Sequence, residues 1–185
     1  MDKNNWMKLE RIMFNGNKEM DISDHGLFLY ELTKSFDRPQ VMEIGTGSGQ
    51  STAFFALACK ETNGHVLTLD LNECKEAKEF ITNLDLKEVV DFRKANSTTA
   101  ETFNNFHEGD IDILFIDSNH EYIQSLIELL LYGRKATYII IHDTDIQGVD
   151  KAIIDFICSK DNSFDIILNR TFNKPHLKVL MRRHD

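Results

Sequence analysis

The chain has little of what staples, anchors or spans. It holds only three cysteines in 185 residues. Cys59, Cys74 and Cys158 are scattered, with no C-x-x-C pair and no Cys/His spacing, so neither a disulfide framework nor a zinc knuckle is built from them. A reducing, cytoplasmic setting fits that usage. Basic residues are also short: 21 Lys and Arg stand against 30 Asp and Glu, a formal net charge of −9. That balance argues against a nucleic-acid backbone as the main partner, because phosphate binding needs a basic surface. The small patch of Lys178, Arg182 and Arg183 reads more simply as a solvated strand end. No apolar run reaches the eighteen or so residues of a membrane span. Residues 1–10 carry charge and no apolar stretch, so no signal peptide is expected there. Repeats, low-complexity tracts and linkers are missing too, and residues 1–185 are expected to form one domain.

What is present is an alternation. Apolar runs suited to strands occur at Gln40–Ile44, His65–Leu69, Val89–Lys94, Ile111–Ile116 and Tyr138–Ile141. Helical patterns lie between them at Ser51–Lys60, Asn72–Leu84, Thr98–Phe106 and Ile123–Tyr132. Two helices are expected within residues 1–38, one over Asn5–Phe14 and one starting at Asp21 or Ser23 and stopped by Pro39. Continuous apolar strands separated by helices predict a doubly wound, Rossmann-like parallel sheet covered on both faces. A helix near Val149–Ser159 then precedes two strand-like runs, Phe164–Asn169 and Leu177–Arg182. The short link between those runs predicts an antiparallel hairpin, since a parallel crossover needs a dozen or more residues.

The chemistry begins where the first strand ends, at Val41-Met42-Glu43-Ile44-Gly45-Thr46-Gly47-Ser48-Gly49-Gln50-Ser51. Glycines there let the backbone bend sharply and approach a ligand, and the next helix presents its first amides to any polar group. The spacing is G-x-G-x-G, which is neither the dinucleotide fingerprint G-x-G-x-x-G nor a P-loop. The second strand ends in Asp70, 21 residues after Gly49. A carboxylate at that place can accept hydrogen bonds from both hydroxyls of a ribose, whether in NAD or in S-adenosylmethionine; it can also cap a helix. Asp117 and Asp143 close two successive strands and can share a hard cation, while a histidine such as His120 can act as a base near neutral pH. Two other histidines, His25 and His107, have no supporting neighbours and are expected on the surface.

With these residues in order, the chain resembles the class I S-adenosylmethionine-dependent methyltransferases, and within them the small catechol-type and cephalosporin-hydroxylase-like O-methyltransferases. The resemblance spans about Gly26 to Ile154. It rests on Glu43 to Ser51, on Asp70, on Ala95-Asn96-Ser97, on Asp117-Ser118-Asn119-His120-Glu121-Tyr122 and on His142-Asp143-Thr144. It implies a class I methyltransferase fold, mostly parallel with a C-terminal antiparallel hairpin. It implies S-adenosylmethionine held by Glu43, Gly45, Thr46, Gly47, Ser51, Asp70, Leu71, Asn96, Ser97 and Asp117. Asp117 and His120 fall at catalytic positions. A divalent cation such as Mg2+ falls on Asp117, Asp143 and Thr144, although the last position is normally asparagine in the family. Methyl transfer to oxygen needs a deprotonated hydroxyl aligned with the S–CH3 bond, which a cation or a positioned base can provide. The expected reaction is therefore O-methylation of a small hydroxylated acceptor such as a sugar or polyol. The alternatives are an NAD-dependent oxidoreductase and a cofactor-binding protein without catalysis. A homodimer through the N-terminal helix or the hairpin edge is the expected self-association, with no nucleic-acid or membrane partner.

Overall fold

The computed structural model describes residues 7, 8, 12, 22–99, 107, 110–159, 163–170 and 176–183. Most of the expected helices at Asn5–Phe14 and Thr98–Phe106 lies outside this set, and the described Thr98 and Thr99 form a turn. Seven strands form one sheet in the order β3-β2-β1-β4-β5-β7-β6. They are β1 (Gln40–Ile44), β2 (His65–Asp70), β3 (Val90–Lys94), β4 (Ile111–Ile116), β5 (Ala136–Ile141), β6 (Phe164–Arg170) and β7 (Leu177–Arg182). The described helices are α1 (Ser23–Lys34), α2 (Gln50–Thr62), α3 (Lys75–Asn83), α4 (Tyr122–Tyr132) and α5 (Gln147–Ile157). β1 to β5 run parallel, and β7 pairs antiparallel with both β5 and β6. This is the doubly wound α/β sheet with an antiparallel C-terminal hairpin that the apolar patterning predicted.

Side chains alternate across each strand and divide the interior into two cores. Val41, Ile113, Phe115 and Ile140 join the core under α1 and α2, with Tyr30, Phe54 and Phe55. Met42, Ile44, Leu114, Ile116, Ile139 and Ile141 join the core under α4 and α5, with Leu129, Ile153 and Phe156. The same alternation turns Glu43 toward the α2 face, beside Thr68 of β2, its register partner.

Several boundaries moved for local reasons. The helix expected from Asn72 starts at Lys75, after Cys74 takes a left-handed φ of 43°. β6 lies at the sheet edge, where a register shift between Ile166 and Leu168 interrupts its ladder. Such irregularities discourage an edge strand from pairing with another chain. Lys178 and Arg182 are not a free basic patch: Lys178 pairs with Asp150, and the Arg182 guanidinium donates to the carbonyls of Ala136 and Arg134. Among the described residues no helix is long and apolar enough to cross a membrane.

Candidate active site

The topology opens a crevice between β1 and β4, where the strand order reverses and α/β sheets bind ligands at their carboxyl ends. Register aligns the ends: Gly45 N donates to Leu69 O, Asp117 N to Ile44 O and His142 N to Ile116 O. One pass across the sheet thus sets the glycine loop, Asp117 and His142-Asp143 side by side. Gly45 shows why the loop needs glycine. Its φ is +98°, and a Cβ would lie 2.0 Å from the Asp117 carbonyl oxygen. Gly45→Ala is therefore expected to lower stability by about 3 kcal/mol or more, through left-handed strain plus a backbone clash. A denaturant midpoint within error of wild type would contradict this close packing.

A cavity of about 400 Å³ sits at these strand ends, lined by Gly45, Gly47, Asp70, Asn96, Ser97 and Asp117 among others. Asp70 is not a helix cap. Its Oδ2 accepts from Thr46 N (3.1 Å) and Gly47 N (3.2 Å), and its Oδ1 from Asn72 N (2.8 Å). Burial tends to raise its pKa, but the amide bonds outweigh that and hold the carboxyl below its usual range. Asp70 thereby clasps the glycine loop from the neighbouring strand. Leu71 lies beside it on the cavity wall, two-thirds exposed.

Glu43, Thr46 and Ser51 stand behind this wall rather than on it. Glu43 is fully buried and accepts from Ser51 Oγ (2.6 Å), Thr52 Oγ1 (2.5 Å) and Thr68 Oγ1 (2.6 Å). Thr46 Oγ1 in turn bonds Thr68 Oγ1 at 2.6 Å. Burial pushes the Glu43 carboxyl up to about 7 against these three donors, and the nearby Asp117 charge adds to the rise. The Ser51 hydroxyl is thus committed to Glu43, and the network welds the loop to β1, β2 and α2.

At the other end, acids and imidazoles converge. His120 Nε2 lies 2.8 Å from Asp143 Oδ2 and 3.5 Å from Asp117 Oδ1. His142 Nδ1 lies 3.2 Å from Asp117 Oδ1 and 3.3 Å from Asp143 Oδ2. Burial favours the neutral form of Asp117, yet the two imidazoles hold its carboxyl down to about 2. Burial likewise disfavours charge on His142, and the two carboxylates reverse that, raising it to about 10. His120 is raised as well, first by its bond to Asp117. Asp143 adopts φ +51°, a left-handed conformation of the kind that gathers at functional sites. Thr144 Oγ1 is buried next to it with no hydrogen-bond partner among the described residues.

His25 corrects the sequence reading. It is buried on α1, not on the surface, and its ring meets His142 edge-on at 6.0 Å. The packing of α1 on α2 brings it inward, which no local pattern announces. His107 is exposed, as expected. Tyr122 packs partly against the α4–α5 core, and its hydroxyl donates to Asp155. Sequence reasoning also missed Gln124 and Glu128 on α4, both of which line the cavity.

With this geometry in view, a family model described as a methyltransferase domain matches residues 42–144, more than half of the chain. The chain belongs to this family. The match runs from β1 through Thr144 and takes in the glycine loop, Asp70 and the Asp/His cluster. Caffeoyl-CoA O-methyltransferase 1 of Eucalyptus globulus is 29% identical over 121 residues, covering 60% of this methyltransferase-family chain and 48% of that protein. The chain spans about half the length of the curated relatives it matches. Among solved structures, an O-methyltransferase from Bacillus cereus in complex with SAH superposes with a TM-score of 0.73 at 18% identity, covering 98% of this chain and 92% of that one. TomG from Streptomyces achromogenes, an O-methyltransferase solved with SAM, gives a TM-score of 0.68 at 13% identity, covering 100% and 91%. At such identities these structures establish the shared fold.

Proposed function

We propose that this chain binds S-adenosylmethionine in the strand-end cavity and methylates a hydroxyl of a small acceptor. The observation that carries the reading is a single cavity wall running from Asp70, beside the glycine loop, to Asp117, which also belongs to the Asp/His cluster. When bound, the cofactor supplies an electrophilic methyl group on a sulfonium. Asp70 is the ribose acceptor, and the bare backbone at Gly45 and Gly47 admits a close ligand. Asp117 sets negative charge near a cationic centre. His120 takes the proton of the acceptor hydroxyl, and the carboxylates beside it stabilise the imidazolium that forms. Family membership sets the NAD reading aside. The caffeoyl-CoA enzymes among its relatives support a phenolic hydroxyl over a sugar or polyol.

The cluster also fits a divalent cation. Donor atoms of Asp117, His120 and Asp143 lie within 4.8 Å of one another, and His142 Nδ1 faces both carboxylates. Thr144, the residue after Asp143, carries a buried hydroxyl without a hydrogen-bond partner among the described residues. A set mixing imidazole with carboxylate suits Mn2+, Fe2+ or Zn2+ better than Mg2+. Such an ion would occupy the His120 nitrogen and replace the imidazole's role as base, lowering the pKa of a bound hydroxyl and orienting it.

The experiment is calorimetric titration with S-adenosylmethionine and S-adenosylhomocysteine, followed by methyl transfer to catechol-type phenols with and without Mn2+. Binding of either ligand with turnover is the expected result, and the rate should climb with pH through a pKa above 6.5, the ordinary histidine value. His120→Gln is expected to flatten that limb. No heat with either ligand at millimolar concentration overturns the reading. Tight binding without transfer to any acceptor returns the chain to a cofactor-binding role.

A further inference from the structure

Glu128 is fully buried on α4, yet it borders the cavity and plays no part in the chemistry above. Three side chains converge on it. Its Oε1 accepts from Ser97 Oγ (2.6 Å) and Gln124 Nε2 (2.8 Å), and its Oε2 accepts from Ser118 Oγ (2.7 Å). Gln124 Nε2 also donates to Ser97 Oγ at 3.1 Å. Ser97 is held a second time, because the Tyr132 hydroxyl donates to its carbonyl.

These bonds decide which way the Gln124 amide faces. A carboxylate oxygen only accepts, so the group against Glu128 must be the NH2. Ser97 has one hydroxyl hydrogen, already given to Glu128, so toward Gln124 it accepts as well. Both contacts require nitrogen on that side, and a flipped amide would set oxygen against two acceptors. The carbonyl oxygen of Gln124 is left on a residue that lines the cavity. Among the described residues no donor to it is recorded. This wall therefore offers an acceptor whose polarity is fixed by a buried carboxylate.

We infer that Gln124, oriented by Glu128 and Ser97, reads the 6-position of the cofactor's purine, accepting a hydrogen bond from a 6-amino group and rejecting a 6-oxo group. The inference rests on the cofactor reading above. With Asp70 on the ribose and Asp117 at the reacting end, the base extends toward the segment after β3, where Ala95, Asn96 and Ser97 line the same cavity. An amine there donates to the carbonyl, whereas a 6-oxo oxygen would face it lone pair to lone pair. Gln124 is then a specificity-determining residue, and Glu128 is its positioning residue.

The test compares S-adenosylhomocysteine with S-inosylhomocysteine, which differ at the 6-substituent and the adjoining ring nitrogen, by calorimetry on the whole chain. Wild type is expected to prefer the adenosyl compound by about 10- to 100-fold, the size of a matched against an opposed buried polar contact. Gln124→Met keeps the bulk, removes the acceptor and should shrink that preference to about threefold or less. Glu128→Gln can present either amide group to Gln124, so the preference should relax there too while adenosyl binding persists. A merely structural role would weaken both ligands equally and leave the ratio unchanged. Gln124 is half-buried on a helix surface, so its variant keeps the test open if Glu128→Gln fails to fold. If wild type binds neither compound, the cofactor reading falls and this one with it. If wild type binds the adenosyl compound with no preference, prefers the inosyl compound, or keeps its ratio in Gln124→Met, this inference alone is overturned.

Discussion

Asp117→Asn is expected to reduce methyl transfer by about a thousandfold, in line with removing a charge that stabilises a transition state inside a shielded site. The substitution preserves shape and the backbone bonds at the end of β4, so the loss isolates the carboxylate. That carboxylate lies 3.2 Å from His142 Nδ1 and 3.5 Å from His120 Nε2, and its residue lines the cavity. Without it, two imidazoles share the single carboxylate of Asp143, and one buried positive charge is left poorly compensated. Breaking such a pair costs about 3–5 kcal/mol where burial is complete. The pH dependence follows from the depressed pKa. A carboxyl at about 2 when folded and 3.8 when unfolded contributes stability that is present above 3.8 and lost as pH falls through 2. Wild type should therefore lose stability across that acid window by a step that Asp117→Asn lacks. Turnover, cofactor affinity and denaturation midpoints between pH 2 and 7 measure the three effects separately. A variant retaining half its turnover would remove Asp117 from the chemistry.

Glu43→Ala is expected to destabilise the fold by about 3–5 kcal/mol while leaving the Asp/His cluster intact. Alanine leaves a void and strands the hydroxyls of Ser51 and Thr52, which now donate to the carboxylate, while Thr68 keeps its bond to Thr46. Glu43→Gln keeps the volume, and hydroxyls can rotate to meet an amide, so its cost should be nearer 1 kcal/mol. Here the pH sign is reversed. A folded pKa of about 7 against 4.5 unfolded means the contribution is full below 4.5 and is lost as pH rises through 7. Both variants should flatten that neutral-range decline. Equal midpoints for Ala and Gln would show that the three-hydroxyl network carries no stability.

Much of the frame was legible because strands and helices announce themselves locally. Apolar runs such as Ile111–Ile116 suit a strand buried on both faces, and the brief link from Arg170 to His176 favours an antiparallel return. The acids at strand ends were legible too, since Asp70, Asp117 and Asp143 each follow an apolar run at the edge where such sheets bind ligands. Less was legible wherever a polar side chain has a choice of partners. Ser51 follows the glycine loop in sequence, but the alternation of β1 turns Glu43 to the α2 face, and the hydroxyl joins it there. His25 gave no sign of burial, because only the packing of α1 on α2 brings it to His142.

The amino-acid order by itself therefore determined the architecture, the glycine turn and the succession of acidic strand ends. These depend on periodicity and on backbone freedom within a few residues. The tertiary structure decided which polar groups meet: Asp70 with the loop amides, Asp117 with His142, and Glu128 with Ser97, Ser118 and Gln124. Those meetings join residues brought together by strand order, register and helix packing, and buried polar groups must find partners wherever the finished fold supplies them.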